Sequence, residues 1–348
     1  MAARIPVEFI FNPHWWCRNY GISFDRSFYL DPERRIADDV TMRRALHERF
    51  GLGEPDPQPR PILGSRHVAG GFVAPALFGV EIRFAADQAP WSIPLELSAD
   101  QIRALTPPDI ARTWPMDEII RQADALEERF GFVMGDWNHG GLINTAMELR
   151  GNTLFTDFTD DPGLVHHLMS VLTETQIRVA GFFKSRSGTN SVAVNRGIVN
   201  VDPAIYVQGN CSVQMISPRH YETFFLPYEM RLAKELAPYG IHHCGDNLHL
   251  FAKSYSKLPL RFLDVGWGSD VARCRAALPD VFFNIRLSPV RMLSEAKESV
   301  RGDVLRLLES GYAPGKTGVC CINMDYGTPD ENVRTVLETV AEFAAQRE

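Results

Sequence analysis

The sequence predicts an α/β protein, a closed (β/α)8 barrel of the TIM type with an N-terminal extension. Three observations predict it. From about residue 115 onward, short apolar runs alternate with amphipathic helical stretches in at least five successive units, the pattern of a parallel sheet wrapped by helices. The chain has 348 residues, 45% of them hydrophobic, enough for one large core. No glycine-rich turn follows the first strand of the alternating region, which argues against an open dinucleotide-binding sheet.

The elements follow in order. A helix is expected over Asp31–Phe50, then an irregular connection, "GLGEPDPQPRPILG", set by its prolines and glycines. Residues 65–110 are rich in aromatic and β-branched types and read as short strands in an excursion. "MDEIIRQADALEERFG" is a helix closed by glycine, and "FVMGD" a short buried strand. "DPGLVHHLMSVLTETQIRVAGFF" is a long helix opened by Asp-Pro. "SPRHYETFFLPYEMRLAKELAPYG" reads as one helix with a serine cap and proline in its first turn. Then come "IHHCG", a helix near 248–257, "RFLDVG", a helix near 270–278, "VFFNIRL", a helix near 289–310 and "GVCCINMD". The last helix opens with Thr328 as cap, Pro329 first and Glu331 closing a capping box. The whole reads as a single barrel domain over residues 1–348, with the extension and β excursion occupying about residues 1–114.

Composition narrows the function. Net charge is −7, which argues against nucleic acid or an anionic membrane as partner. No apolar run approaches a membrane span, and "MAARIPVEFIF" is a poor signal peptide. A cytoplasmic location is expected. There the six cysteines, at 17, 211, 244, 274, 320 and 321, are thiols or metal ligands sooner than disulfides.

In such a barrel, chemistry sits at the C-terminal ends of the strands. "HHCGDN" falls at one such end. Residues two apart in a strand face the same side, so His242 and Cys244 point together into the barrel mouth. Imidazole and thiolate suit Zn²⁺. A third ligand is available from Cys320-Cys321, at the end of another strand, where neighbours alternate and one of the two points inward. Three protein ligands and an open position make a catalytic zinc pattern.

The chain resembles the uroporphyrinogen decarboxylase superfamily, in its corrinoid-dependent methyltransferase branch. The resemblance rests on "PVEFIFNPHWWCRNYGISFDRSFYLDPERRIAD", "LRGNTLFTDFTDDPGLVHHLM", "ISPRHYETFFLPYEMRLAKEL" followed by "IHHCGDN", and "TPDENV". It implies a (β/α)8 barrel holding zinc through an H-x-C pair and a distant cysteine a few residues before the Thr-Pro. Carried over, these are His242, Cys244 and Cys321. It further implies methyl transfer between a corrinoid (cobalamin) and a small thiol or methylated donor. The Arg-Gln-Ala-Gly-Arg stretch of true decarboxylases is missing, so porphyrinogen is not the expected substrate. "RLSPVRML" stands where the family usually has an Asn-Leu-Asp-Pro turn. "GDWNHGG" sets Asp136 and His139 three apart, which does not match the Asp-x-His-x-x-Gly cobalt-ligand signature. The corrinoid is therefore expected on a partner protein. A homodimer is allowed for.

Further candidates surround this core. Glu148 in "MELRG" could serve as general acid or metal ligand, or pair with Arg150. Cys211 could be a fourth ligand, a substrate contact or a small filler; with Glu148 it completes the candidate catalytic set. Trp15 and Trp16 could wall a substrate pocket or pack in the core. His139, Asn210, Asp325 and Tyr326 are candidate substrate contacts. Two other readings compete: a decarboxylase-like lyase acting on a non-porphyrin carboxylate, and a barrel that binds without catalysing.

Overall fold

In the computed structural model, residues 5–65, 67, 71–138, 140–189 and 205–347 are described. Its strands are β1 (Val7–Phe11), β2 (Glu81–Ala85), β3 (Gln88–Ile93), β4 (Tyr206–Gly209), β5 (Tyr239–His243), β6 (Leu260–Val265), β7 (Phe282–Arg286) and β8 (Thr317–Met324). Six of them form one curled parallel sheet in the order β1-β8-β7-β6-β5-β4. Helices follow the strands, as parallel crossovers demand. Two further stretches complete the ring, around Ile62 and around Met134–Asn138. They touch through isolated parallel bridges, Ile62 to Met134 and Gly71 to Asn138, so "FVMGD" contributes a bridge where a full strand was expected. The ring closes between the second of these stretches and β4, where a Cβ on Gly141 would lie 1.7 Å from the Gly209 carbonyl oxygen; only glycine permits that approach. The fold is a (β/α)8 barrel, and the extension supplies its first stave, β1. The hairpin β2–β3 stands apart as a two-stranded antiparallel sheet.

Side-chain parity divides the barrel into an inside and a helix side. Ile205, Val207, Phe262 and Phe282 form one interior cluster, and Ile10 with Ile322 another. The main core lies between sheet and helices and takes the alternate residues, among them Tyr206, Ile241, Phe283, Val319 and Cys321. Most of β4 to β8 is buried on both faces, which is why these strands read as nearly continuous apolar runs.

The helices largely follow the sequence expectation. Asp31 caps Pro32–Phe50, Gly131 ends Met116–Phe130, and Asp161 caps Pro162–Ser187. Three details differ. The helix expected from Ser217 breaks into Pro218–Phe224 and Leu226–Glu235, because Pro227 has no N–H to continue the ladder. The one expected near 289–310 is likewise two, Pro289–Ser294 and Lys297–Gly311. The last helix is Asp330–Ala345 with Pro329 in the cap position. Thr328 Oγ1 donates to the Asp325 carbonyl instead of capping, so the expected capping box does not form.

Candidate metal centre

The site is built where β4 and β5 end. On β5, Tyr239, Ile241 and His243 face the helices. His243 Nδ1 lies 2.9 Å from Tyr255 Oη and its Nε2 3.2 Å from Asn247 Oδ1, and burial holds its pKa down at about 4. His242 has the opposite parity and points inward, with Cys244 on the same side. Val207 on β4 faces inward, as does Ile205 just before it, and the turn that follows the strand brings Cys211 to the same side. Gly266 lets the β6 end close over this corner: a Cβ there would come within 2.0 Å of the Gly245 carbonyl oxygen.

The ligand atoms of Cys211, His242 and Cys244 all lie within 4.8 Å of one another. His242 is buried, and its two nitrogens are in different situations. Nδ1 sits 2.6 Å from Asp264 Oδ2, and Asp264 is itself held by Asn284, whose Nδ2 donates to Oδ1 at 3.1 Å. That carboxylate fixes the proton on Nδ1 and leaves the Nε2 lone pair free, the arrangement that orients metal-ligating imidazoles. Nε2 makes no hydrogen bond of good geometry and lies beside the Cys244 sulfur. Burial presses the ring toward its neutral form, but Asp264 and Cys244 outweigh it and raise the pKa.

The two sulfurs face each other across the site. Cys211 donates to Cys244, which places the Cys244 thiol well below the ordinary thiol range; desolvation opposes this, while His242 and Arg286 reinforce it. The same contact, with burial, pushes Cys211 up. Arg286 Nη1 donates to Cys244 Sγ at 3.2 Å. Asn144 braces the other corner: its Oδ1 accepts from Ser212 N–H at 3.0 Å, its Nδ2 donates to the Gly209 carbonyl at 3.4 Å, and its side chain contacts Cys211. A buried imidazole nitrogen with nothing to bond, facing two sulfurs, is the donor set of a borderline-soft divalent ion, so the residues fit zinc.

Cys321 is a correction. In β8 it pairs across from Phe9 and faces the helix layer, where its thiol lies 3.8 Å from the Leu287 carbonyl oxygen within the main core; burial raises its pKa to about 12. Its neighbour Cys320 takes the inward position, opposite Arg286 and Glu8. The third corner belongs to Cys211. Asn210 is also a correction. It looks to the helix side, where its Nδ2 donates to Glu229 Oε1 at 2.8 Å, and is buried there. Trp15 and Trp16 are buried in the core, Trp15 stacked on Phe11 and Trp16 donating to the His67 carbonyl. They pack the fold.

Glu148 does not pair with Arg150, which instead grips Asp157 at 2.7 Å. It lines a cavity of about 350 Å³ with Asn144, Met147 and Ser212, and burial raises its pKa to about 7. Asp325 and Tyr326 sit just past β8 at the mouth end. The Asp325 carboxylate lies 2.9 Å from His14 Nδ1, and Tyr326 is half exposed. His139 lies outside the described residues. Asp264 and Arg286 are site residues that no motif in the sequence marks. A single acid inside "RFLDVG", and the alternation of Asn284 and Arg286 in "FFNIR", were the available signals.

Among the described residues, no helix is long and apolar enough to cross a membrane. Compared with curated protein sequences, the chain has no match. Among solved structures it is similar to a methyltransferase from Methanosarcina mazei, at 14% identity and a TM-score of 0.67, covering 99% of this chain and 95% of that one. It is also similar to a B12-independent methionine synthase from Shewanella sp. W3-18-1 in complex with selenomethionine, at 10% identity and a TM-score of 0.52, covering 99% of this chain and 98% of that one. Residues 70–343 match the uroporphyrinogen decarboxylase (URO-D) family, and the chain therefore belongs to that family.

Proposed function

We propose that this protein is a zinc-dependent methyltransferase that moves a methyl group between a corrinoid carried on a partner protein and a small thiol or methylated donor. One observation carries the reading: His242 Nε2, buried and without a hydrogen bond, faces the sulfurs of Cys211 and Cys244, with Asp264 holding the far side of the ring. His242, Cys211 and Cys244 would hold the ion. When bound there, zinc supplies a Lewis acid that keeps a reacting sulfur deprotonated, or polarises the heteroatom of a methyl donor.

The chain's own residues do the rest. Asp264 holds the proton on Nδ1, which directs the Nε2 lone pair into the site, and fixes the ring plane. Two thiolates and a neutral imidazole cancel the charge of a divalent ion, so a sulfur added to the site stays nucleophilic. Glu148, with its pKa near neutrality, can hold or release a proton in the cavity it shares with Asn144 and Ser212. Asp325 and Tyr326 stand where a partner protein or substrate would approach. A lyase would need basic groups in the mouth to grip carboxylates; Arg286 is one such group, and its Nη1 is engaged with Cys244.

The test is an anaerobic assay with reduced cobalamin and a panel of methylated thiols, ethers and amines, followed by the change in cobalt absorption. Methyl-cobalamin formation, or its loss on adding a thiol, is the expected result. Parallel assays omit the corrinoid, since one structural neighbour is a B12-independent methionine synthase. Turnover without corrinoid, or no methyl transfer with any donor, would overturn the reading.

A further inference from the structure

The other buried arginines among the described residues have ordinary oxygen partners: Arg35 donates to the carbonyls of Ile62 and Tyr29, and Arg43 to the carboxylates of Asp39 and Glu54. Arg286 behaves differently. It projects from the end of β7 into the barrel, is only 6% exposed, and donates through Nη1 to the sulfur of Cys244. Its strand register sets it opposite Cys320, and Asp264 is the nearby acid. Its Nε has no hydrogen-bond partner among the described residues. The other sulfur, that of Cys211, has its own amide neighbour in Asn144.

We propose that Arg286 is a positioning residue for the metal centre: its guanidinium holds the Cys244 thiolate and draws charge from it. The inference rests on the zinc reading above and extends it to the question of which sulfur reacts. A site with two ligand thiolates and a substrate thiol would present three sulfurs to a methyl donor, and methylation of a ligand would destroy the centre. A charge-assisted N–H···S bond occupies a lone pair of the ligand sulfur and lowers its nucleophilicity. A substrate sulfur that lacks this bond remains the reactive one. The buried cation also offsets the negative charge that a third thiolate would add.

The experiment compares wild type with Arg286→Met, which removes the donor and the charge, and with Arg286→Lys, which keeps the charge. Each is loaded with Co²⁺ in place of zinc, and the near-ultraviolet thiolate-to-cobalt absorption is recorded. The zinc-loaded forms are then treated with iodoacetamide, and carbamidomethyl Cys244 is quantified by peptide mapping. In that reaction the Cys244 sulfur forms the S–C bond and iodide leaves. In the Met variant the absorption is expected to move to longer wavelength and Cys244 to be alkylated about tenfold faster, the scale of one charge-assisted hydrogen bond. The Lys variant should lie between. Should the Met variant not fold, Arg286→Gln, smaller and neutral, carries the same readouts. A fully loaded neutral variant with unchanged absorption and unchanged alkylation overturns this inference alone. A wild-type protein that takes up no cobalt overturns the zinc reading, and this inference with it.

Discussion

Asp264 Oδ2 and His242 Nδ1 lie 2.6 Å apart, both buried, on adjacent parallel strands whose register pairs these same two residues. The pairing turns an ordinary sheet contact into the device that presents Nε2 to the barrel mouth. Replacing Asp264 by Asn keeps the shape and removes the charge. Metal affinity is expected to fall by about 10–100-fold, as for other outer partners of ligating histidines. Competition with a chromophoric chelator measures it. Unchanged affinity would mean that the pair serves folding alone.

How much of this centre was legible in the sequence follows from strand geometry. His242 and Cys244 could be paired because residues two apart share a face whatever the register. The choice between Cys320 and Cys321 needed the parity of β8. "GVCCI" is apolar and buried on both faces, and the exposed Asn323 beyond it sits at a register shift, so the pattern does not mark the inward side. Cys211 was harder to find, since it lies past the end of a four-residue strand, β4, and reaches the site only because β4 lies next to β5. The long helices were readable from their caps. The stave at Met134 was readable in "FVMGD", though it forms only a bridge, and the one around Ile62 was not, because a bridge that short amid prolines leaves no periodicity to detect.

Glu229 supplies a pH-dependent stability. Burial raises its pKa to about 7, against the donors Tyr221, Asn210 and Tyr239. Its folded pKa thus exceeds its unfolded value of 4.5. The folded state binds the extra proton between these values, so the contribution is fully present below about 4.5. It is lost as pH rises to about 7, and flat above that. The size is on the order of 2–4 kcal/mol. Glu229→Gln is expected to flatten that slope, read as denaturant midpoints across pH 4–8. A variant with the wild-type slope contradicts the assignment.

Trp16 is a structural residue. Trp16→Ala removes a fully buried indole and is expected to cost about 3–5 kcal/mol of stability, while zinc bound per folded chain stays at the wild-type level. Denaturant melts paired with elemental analysis decide it. A variant of normal stability that loses activity would return Trp16 to the substrate pocket.

Which three side chains hold the ion can be read from metal content. Wild type, Cys211→Ser and Cys321→Ser are purified anaerobically, their folding is checked, and zinc is measured by elemental analysis. About one zinc per chain is expected in wild type and in Cys321→Ser, and a large loss in Cys211→Ser. Zinc retained by Cys211→Ser but lost from Cys321→Ser would contradict this ligand assignment.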